Sequence, residues 1–174
     1  PQHDRMDVVI QKTTEIGVGA IVPIITARTV PRPGRGERWG RLDRWRRVAS
    51  DAARQSGRLR VPEIAEPIAW RDFLGGIEEA RHEARLLFDP ETPSGAGVER
   101  LALGTHHRSA LVAVGPEGGW SQPEAALGRE HGFTLMGLGP RILRTETAGI
   151  VAVALILFLA GEMGRAGGEQ VPLI

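Results

Sequence analysis

Two glycine-rich segments concentrate the residues whose types and spacing can do chemistry. The first, Gly115-Pro116-Glu117-Gly118-Gly119-Trp120, follows the apolar run Ser109 to Val114. Its glycines permit positive φ and close approach of a ligand to the backbone, although a plain tight turn has the same composition. The second, Leu138-Gly139-Pro140-Arg141-Ile142-Leu143-Arg144-Thr145-Glu146-Thr147-Ala148, gathers two arginines, a carboxylate and two hydroxyls at the start of an apolar helical run. Thr145 is placed to cap that helix, and Glu146 suits its first turn. Arg141 and Arg144 oppose the helix dipole there, so an anion should compensate them: Glu117, Glu146 or a phosphate. Neither segment is a familiar nucleotide fingerprint. G-x-x-x-x-G-K-[ST] is missing, and Gly137-Leu138-Gly139 has no third glycine to complete G-x-G-x-x-G.

A third feature is electrostatic. Arg28 to Arg60 holds eleven arginines against Glu37, Asp43 and Asp51, an excess of eight positive charges. The net charge of the whole chain is +1, so the remainder carries −7. Such clustering fits a phosphate-binding surface, with a solvated helix face as the plainer reading. Arg28, Arg32, Arg35, Arg54 and Arg58 are the candidate contacts, with Arg38 and Arg60 beside them. Lys12 and Glu15 share one face of the first helix, where an ion pair is as good a reading as a role in a site. Gln55 and Ser56 can be structural or touch substrate.

Alternating helices and strands must position these residues. Met6, Val9, Ile10, Thr13 and Ile16 fall at helical spacing, stopped by Gly17 or Gly19. Ala20 to Ile25 reads as a strand, and Thr29 to Gly36 as a loop. Trp39, Leu42, Trp45, Val48, Ala49 and Ala52 form one apolar stripe of a helix that Gly57 can end. Trp70 to Arg81 is a helix weakened by Gly75-Gly76, Arg85 to Phe88 a strand, and Glu91 to Gly97 a loop. Ser109 to Val114 is a buried-type strand. Ser121 and Glu124 then have capping-box spacing for a helix that stops at His131-Gly132. Phe133 to Leu138 is a strand, and Arg144 to Met163 a last helix, followed by a Gly-rich tail. The expected fold is α/β, a mainly parallel sheet flanked by helices, with both glycine loops at carboxyl ends of strands where such folds bind ligands.

Composition excludes several classes. The 174 residues include no cysteine, which removes disulfides, thiolate nucleophiles and Cys-based metal sites. The five histidines show no ligand spacing, so no metal is expected. The longest apolar run, Ile150 to Ala160, is too short for the ~20 residues of a membrane span, and a cytoplasmic location is the default. A helix so apolar should be buried on more than one side, against the sheet and a partner subunit. The chain begins at Pro1 rather than Met and reads as one whose N-terminal part is missing.

GPEGGWS and LGPRILRTETA, with IQKTTEIGV near the start and AARQSGR in the Arg-rich helix, resemble the RsmE family over about Met6 to Glu162. Those proteins are bacterial 16S ribosomal RNA methyltransferases acting at N3 of a uridine, within the SPOUT superfamily. Trp120 stands where family members more often carry Phe. The resemblance implies a SPOUT-type fold over 1–174 with a C-terminal deep trefoil knot, an exception to the rule against threaded chains. It implies S-adenosylmethionine held by Phe88, by Val114 to Gly119, and by Leu138, Gly139, Ile142, Leu143, Arg144 and Thr147. Leu138, Ile142 and Leu143 would wall the adenine. It implies a homodimer through the last helix and, as substrate, an assembled small ribosomal subunit. The family's N-terminal PUA-like β-barrel has no counterpart in these residues.

The chemistry can be derived separately. Uracil N3 carries a proton and is a poor nucleophile until it leaves. An enzyme needs an extruded base, a proton acceptor and a cation beside O2 or O4. Arg144 or Arg141 suits the cation role; Glu117 or Glu146 suits the acceptor. Two alternatives remain at this stage. One is a related SPOUT enzyme acting on transfer RNA. The other is a non-catalytic RNA-binding or ribosome-assembly module, which would bind RNA without the cofactor.

Overall fold

The computed structural model describes residues 3–29, 35–77, 84–92 and 109–163. Helix α1 (His3–Ile16) buries Met6, Ile10, Thr13 and Thr14 and ends at Gly17, whose φ of 126° strains any residue with a Cβ. The next extended stretch is two short strands rather than one, β1 (Ala20–Ile21) and β2 (Ile24–Ile25). Pro23 separates them because it has no N–H for the ladder. Helix α2 (Arg35–Gln55) follows, and its expected stripe is correct: Leu42, Trp45, Ala49 and Ala52 are buried. Gly57, with φ of 72°, closes it. Two strands absent from the sequence reading come next, β3 (Glu63–Ile64) and β4 (Ile68–Ala69). At two residues each they are too short to show alternation. They pair in parallel with β1 and β2 respectively.

Helix α3 (Trp70–Gly76) occupies the first part of the expected Trp70 to Arg81, whose 78–81 part lies outside the described residues. It stops at the Gly75-Gly76 pair, each glycine costing about 1 kcal/mol relative to alanine in a helix. Strands β5 (Ala84–Phe88), β6 (Ala110–Val114) and β7 (Thr134–Met136) form the main sheet in the order β6-β5-β7, all parallel. Helix α4 (Gln122–Glu130) links β6 to β7, and α5 (Thr145–Leu159) closes the described chain. Strand β7 and helix α5 are both shorter than expected, by a few residues at their ends. The 93–97 part of the expected loop, Arg32, the side chains of Arg35, Arg38 and Trp39, and the tail after Gly164 lie outside the described residues.

Three apolar clusters hold these layers. Trp70, Leu74, Leu87, Trp120 and Phe133 pack on one face of the sheet. Leu86, Phe88, Met136, Ala152 and Ile156 pack on the other, which seats α5 on the sheet as expected. Met6, Ile10, Leu42, Trp45 and Ala49 join α1 to α2. Helix α5 has a second neighbour that periodicity does not show. It lies beside α1 in parallel: Arg5 pairs with Glu146, a Cβ at Gly149 would lie 3.9 Å from Val9, and one at Gly17 would lie 3.5 Å from Leu157. That packing explains why α5 is apolar on more than one side. Val151 and Phe158 stay exposed on it, Phe158 by 63%. Among the described residues no helix is long and apolar enough to cross a membrane.

Candidate active site

In the main sheet Phe88 is in register with both Val114 and Met136, so the three strands end level. The loops that follow them therefore start along one edge, the carboxyl edge of a parallel sheet. Each loop is anchored differently.

The Gly115 to Trp120 loop is rigidly built. The Gly119 N–H donates to the Pro116 carbonyl at 2.8 Å, with Gly119 at φ 68°. Trp120 is 4% exposed, packs with its ring tilted against Trp70 at 4.7 Å, and donates its indole N–H to the Phe88 carbonyl at 3.1 Å. The loop is thus pinned to the end of β5. A Cβ at Gly115 would meet the Trp120 ring at 3.1 Å, a close approach that a larger residue could make only if the ring gave way by a few tenths of an ångström. Arg28 braces the other side, donating Nη1 to the carbonyls of Gly118 and Trp120. The Ser121–Glu124 capping box is present as the spacing predicts. Glu124 also accepts the Ala27 N–H at 2.7 Å, which ties α4 to the residue next to Arg28. Partial burial pushes the Glu124 carboxyl up. Hydrogen bonds from the Ser121 hydroxyl, the Ala27 N–H and the Ser121 N–H, with the Arg28 charge, outweigh it and hold the carboxyl below the usual range.

The Gly137 to Arg144 loop is built in the opposite way. Among the described residues, no backbone group of Leu138 to Leu143 makes a hydrogen bond, and Gly139 has φ 101°. Leu138 packs against the Leu86–Phe88–Met136 cluster, whereas Ile142 is 89% exposed. Six carbonyls and the five N–H groups (Pro140 has none) are thus open beside apolar side chains, a composition suited to a heteroaromatic edge. Arg144 is the backbone N-cap of α5 and Thr145 its first helical residue, so Thr145 does not cap the helix as expected. Thr147 is exposed one turn on.

The charges pair differently from expectation. Among the described residues Arg141 and Arg144 are exposed and their guanidinium groups have no partner. The carboxylates considered for them face Arg5 of α1 instead. Arg5 Nη1 lies 3.2 Å from Glu117 Oε1, and Arg5 Nε lies 3.9 Å from Glu146 Oε1. Arg5 was not singled out in the sequence, because its partners lie more than a hundred residues away.

The proposed RNA-contacting arginines divide. Arg58 donates to the carbonyls of Thr14 (2.8 Å), Val18 (3.0 Å) and Gly17 (3.2 Å), which caps the carboxyl end of α1. Burial pushes its pKa down. Arg28 is the loop brace already described and stays exposed, so both arginines direct donors at backbone carbonyls. Arg54 is exposed and pairs with Asp51 at 3.3 Å. Lys12 pairs with Glu15 at 2.9 Å, the plainer reading of those two. Gln55 joins them along a groove of about 570 Å³ between α1 and α2, away from the strand edge, and Ser56 donates to the Ala52 carbonyl.

A parallel α/β sheet whose carboxyl edge carries two glycine loops and two exposed arginines defines an RNA-modifying class once the comparisons are added. The chain belongs to the RNA methyltransferase domain family, whose model matches residues 1–157. It is 32% identical over 164 residues to the ribosomal RNA small subunit methyltransferase E of Bacillus subtilis, covering 91% of this chain and 62% of that protein. The enzyme of the same description from Synechocystis is 33% identical over 165 residues, covering 90% and 50%. Among solved structures, the ribosomal RNA small subunit methyltransferase E of Neisseria gonorrhoeae bound to S-adenosylmethionine matches with a TM-score of 0.75 and 37% identity, over 90% of this chain and 61% of that one. A Legionella pneumophila methyltransferase structure with bound cofactor matches with a TM-score of 0.79 at 32% identity, over 88% and 61%. The chain spans about half to three-fifths of the length of these curated relatives.

Proposed function

We propose that this domain methylates N3 of a uridine in 16S ribosomal RNA, with S-adenosylmethionine as donor. The substrate is the assembled small subunit, in the cytoplasm, and the working form is a homodimer through α5. The C-terminal segment is threaded as a deep trefoil knot. The observation that carries the reading is the open backbone of Leu138 to Leu143, at the level strand ends and beside two exposed arginines. S-adenosylmethionine supplies a methyl group already activated on a sulfonium, so the protein's work is placement and charge management. Phe88, Val114 to Gly119, Leu138, Gly139, Ile142, Leu143 and Thr147 surround the donor. Arg144, with Arg141 beside it, stabilises the negative charge that uracil O2 or O4 gains as N3 loses its proton. Glu117 or Glu146 receives that proton. Arg54, which is exposed, contacts phosphates together with Arg32 and Arg35 and fixes register without reading sequence.

The test is a calorimetric titration of the 174-residue chain with S-adenosylmethionine, followed by methyl transfer to small subunits. Saturable binding near one site per chain is expected. Arg144→Ala should abolish transfer while leaving the unfolding midpoint in place, because the side chain is exposed and has no partner among the described residues. A folded sample that does not bind the donor, or full turnover by the variant, overturns the assignment.

A further inference from the structure

Arg28 reaches the Gly115 to Trp120 loop from outside the main sheet, just after β2. The turn that presents it is closed on itself. The Thr26 N–H donates to Thr29 Oγ1 at 2.9 Å, the Thr29 N–H donates to the Thr26 carbonyl at 3.2 Å, and the two hydroxyls lie 3.0 Å apart. Thr26 is buried, whereas Ala27 and Arg28 are exposed at the tip. The Ala27 N–H holds this turn to Glu124 Oε1 at 2.7 Å. Arg28 Nη1 then donates to the Gly118 carbonyl and, at 3.4 Å, to the Trp120 carbonyl. Its stem lies against Gly118, where a Cβ would come within 3.2 Å of both Cβ and Cδ of Arg28.

These contacts fix alternate peptide groups of the loop. In the 118–119 peptide, Arg28 bonds the Gly118 carbonyl and the Gly119 N–H donates to the Pro116 carbonyl at 2.8 Å. In the 120–121 peptide, Arg28 bonds the Trp120 carbonyl and the Ser121 N–H donates to Glu124 Oε2 at 3.0 Å. A planar peptide bonded at both ends cannot rotate without losing both bonds. The peptide before them is different: the Gly118 N–H has no hydrogen-bond partner among the described residues, and Gly118 is exposed. One donor of the loop is thus left open beyond the carboxyl end of β6, while its neighbours are tied. Such ties matter because Gly118 and Gly119 are adjacent and lack the Cβ that would restrict them. A ligand that needs one loop conformation binds more weakly in proportion to the time the loop spends in others.

On the strength of the proposed function, we infer that Arg28 is a positioning residue for the methyl donor, acting through the Gly118 and Trp120 carbonyls rather than on an RNA phosphate. It holds the Gly115 to Trp120 loop in the conformation that receives S-adenosylmethionine. Glu124 and the Thr26–Thr29 turn set where Arg28 stands.

Two measurements test the inference. The first needs no donor: amide hydrogen exchange in the 174-residue chain and in Arg28→Ala and Arg28→Lys. The Gly119 N–H should exchange about tenfold faster or more in Arg28→Ala, while amides within β5 keep their protection. Arg28→Lys should fall between, because an ammonium keeps the charge without the planar fork. Unchanged exchange at Gly119 overturns the inference. The second is a calorimetric titration with S-adenosylmethionine, followed by methyl transfer to small subunits. In Arg28→Ala the donor Kd and KM should rise about tenfold or more, while kcat at saturating donor stays within about threefold. The slope of RNA affinity against salt should not change, since a lost phosphate contact would take about one unit from it. A merely structural arginine would lower the unfolding midpoint and leave donor affinity as it was, which overturns the inference, as does a slope reduced by about one unit. If Arg28→Ala also loses the protection of β5, the same readouts in Arg28→Lys decide, with a severalfold rise in donor Kd expected. Failure of the wild-type chain to bind the donor overturns the proposed function and the donor role together, and Gly119 exchange then reads the loop contact by itself.

Discussion

Arginine shows how little a residue type says about its task. Eleven of them crowd Arg28 to Arg60, yet Arg28 and Arg58 point their donors at backbone carbonyls. Arg58 satisfies the end of α1, where helical carbonyls have no intrahelical partner. Arg58→Ala should therefore lower stability by about 1–3 kcal/mol in a denaturant titration, since three carbonyls lose a charged donor. The same variant should leave the salt dependence of RNA affinity unchanged, because a phosphate contact would contribute about one unit of slope and a helix cap contributes none. A reduced slope would return Arg58 to the RNA surface. The opposite case is Arg141 and Arg144, which sit at a helix start where cations are unfavourable. Exposure without a partner among the described residues makes them the pair available to an anion.

Among the elements, α4 is the one whose placement secures the glycine loop. It lies unusually close to the sheet: a Cβ at Gly128 would approach Leu87 to 2.9 Å and Trp70 to 3.3 Å. The Trp70 indole also donates to the Glu124 carbonyl at 3.0 Å. Glu124 gathers three donors from Ser121 and Ala27, so its ionised form is favoured in the fold. A carboxyl with a depressed folded pKa contributes stability that is present above its unfolded value, about 4.3, and is lost as pH falls through the lower folded value. Acid should thus loosen the start of α4 and the neighbouring loop below about pH 4.3. Hydrogen exchange at Ser121 and Ala27 checks this, as both N–H groups are bound to that carboxylate. Glu124→Ala should remove the acid step and cost about 0.5–2 kcal/mol, the range for losing a helix cap. Unaltered exchange down to pH 3 would contradict it.

The whole molecule is organised around α5, which packs on the main sheet through Ala152 and Ile156 and on α1 through Gly149 and Leu157. Two further apolar side chains on it, Val151 and Phe158, are exposed. A helix without a polar face is not stable against water, so the proposed homodimer covers them. Phe158→Glu should convert the sedimentation behaviour from dimer to monomer while circular dichroism is retained. A variant that stays dimeric would place the interface elsewhere. Such a dimer would extend an assembly whose other apolar faces are already used within one chain.

Local order was legible in the residues where neighbours in the chain decide it. The Leu42–Trp45–Ala49 stripe, the Ser121–Glu124 box, the apolar strands and the glycine stops at 17 and 57 all depend on spacings of a few residues. Both glycine loops could be placed at carboxyl ends of strands for the same reason. The errors lay where spacing is too short or partners too distant. Two-residue strands such as β3 and β4 carry no alternation, and Pro23 divided what looked continuous. Arg5 meets Glu117 across 112 positions, and Arg28 meets Gly118 across 90. Such pairs form only after the sheet and helices have packed, because a long-range contact has no local pattern to announce it. Residue chemistry thus set which groups can act. Tertiary packing decided which arginines are struts and which are open to a ligand.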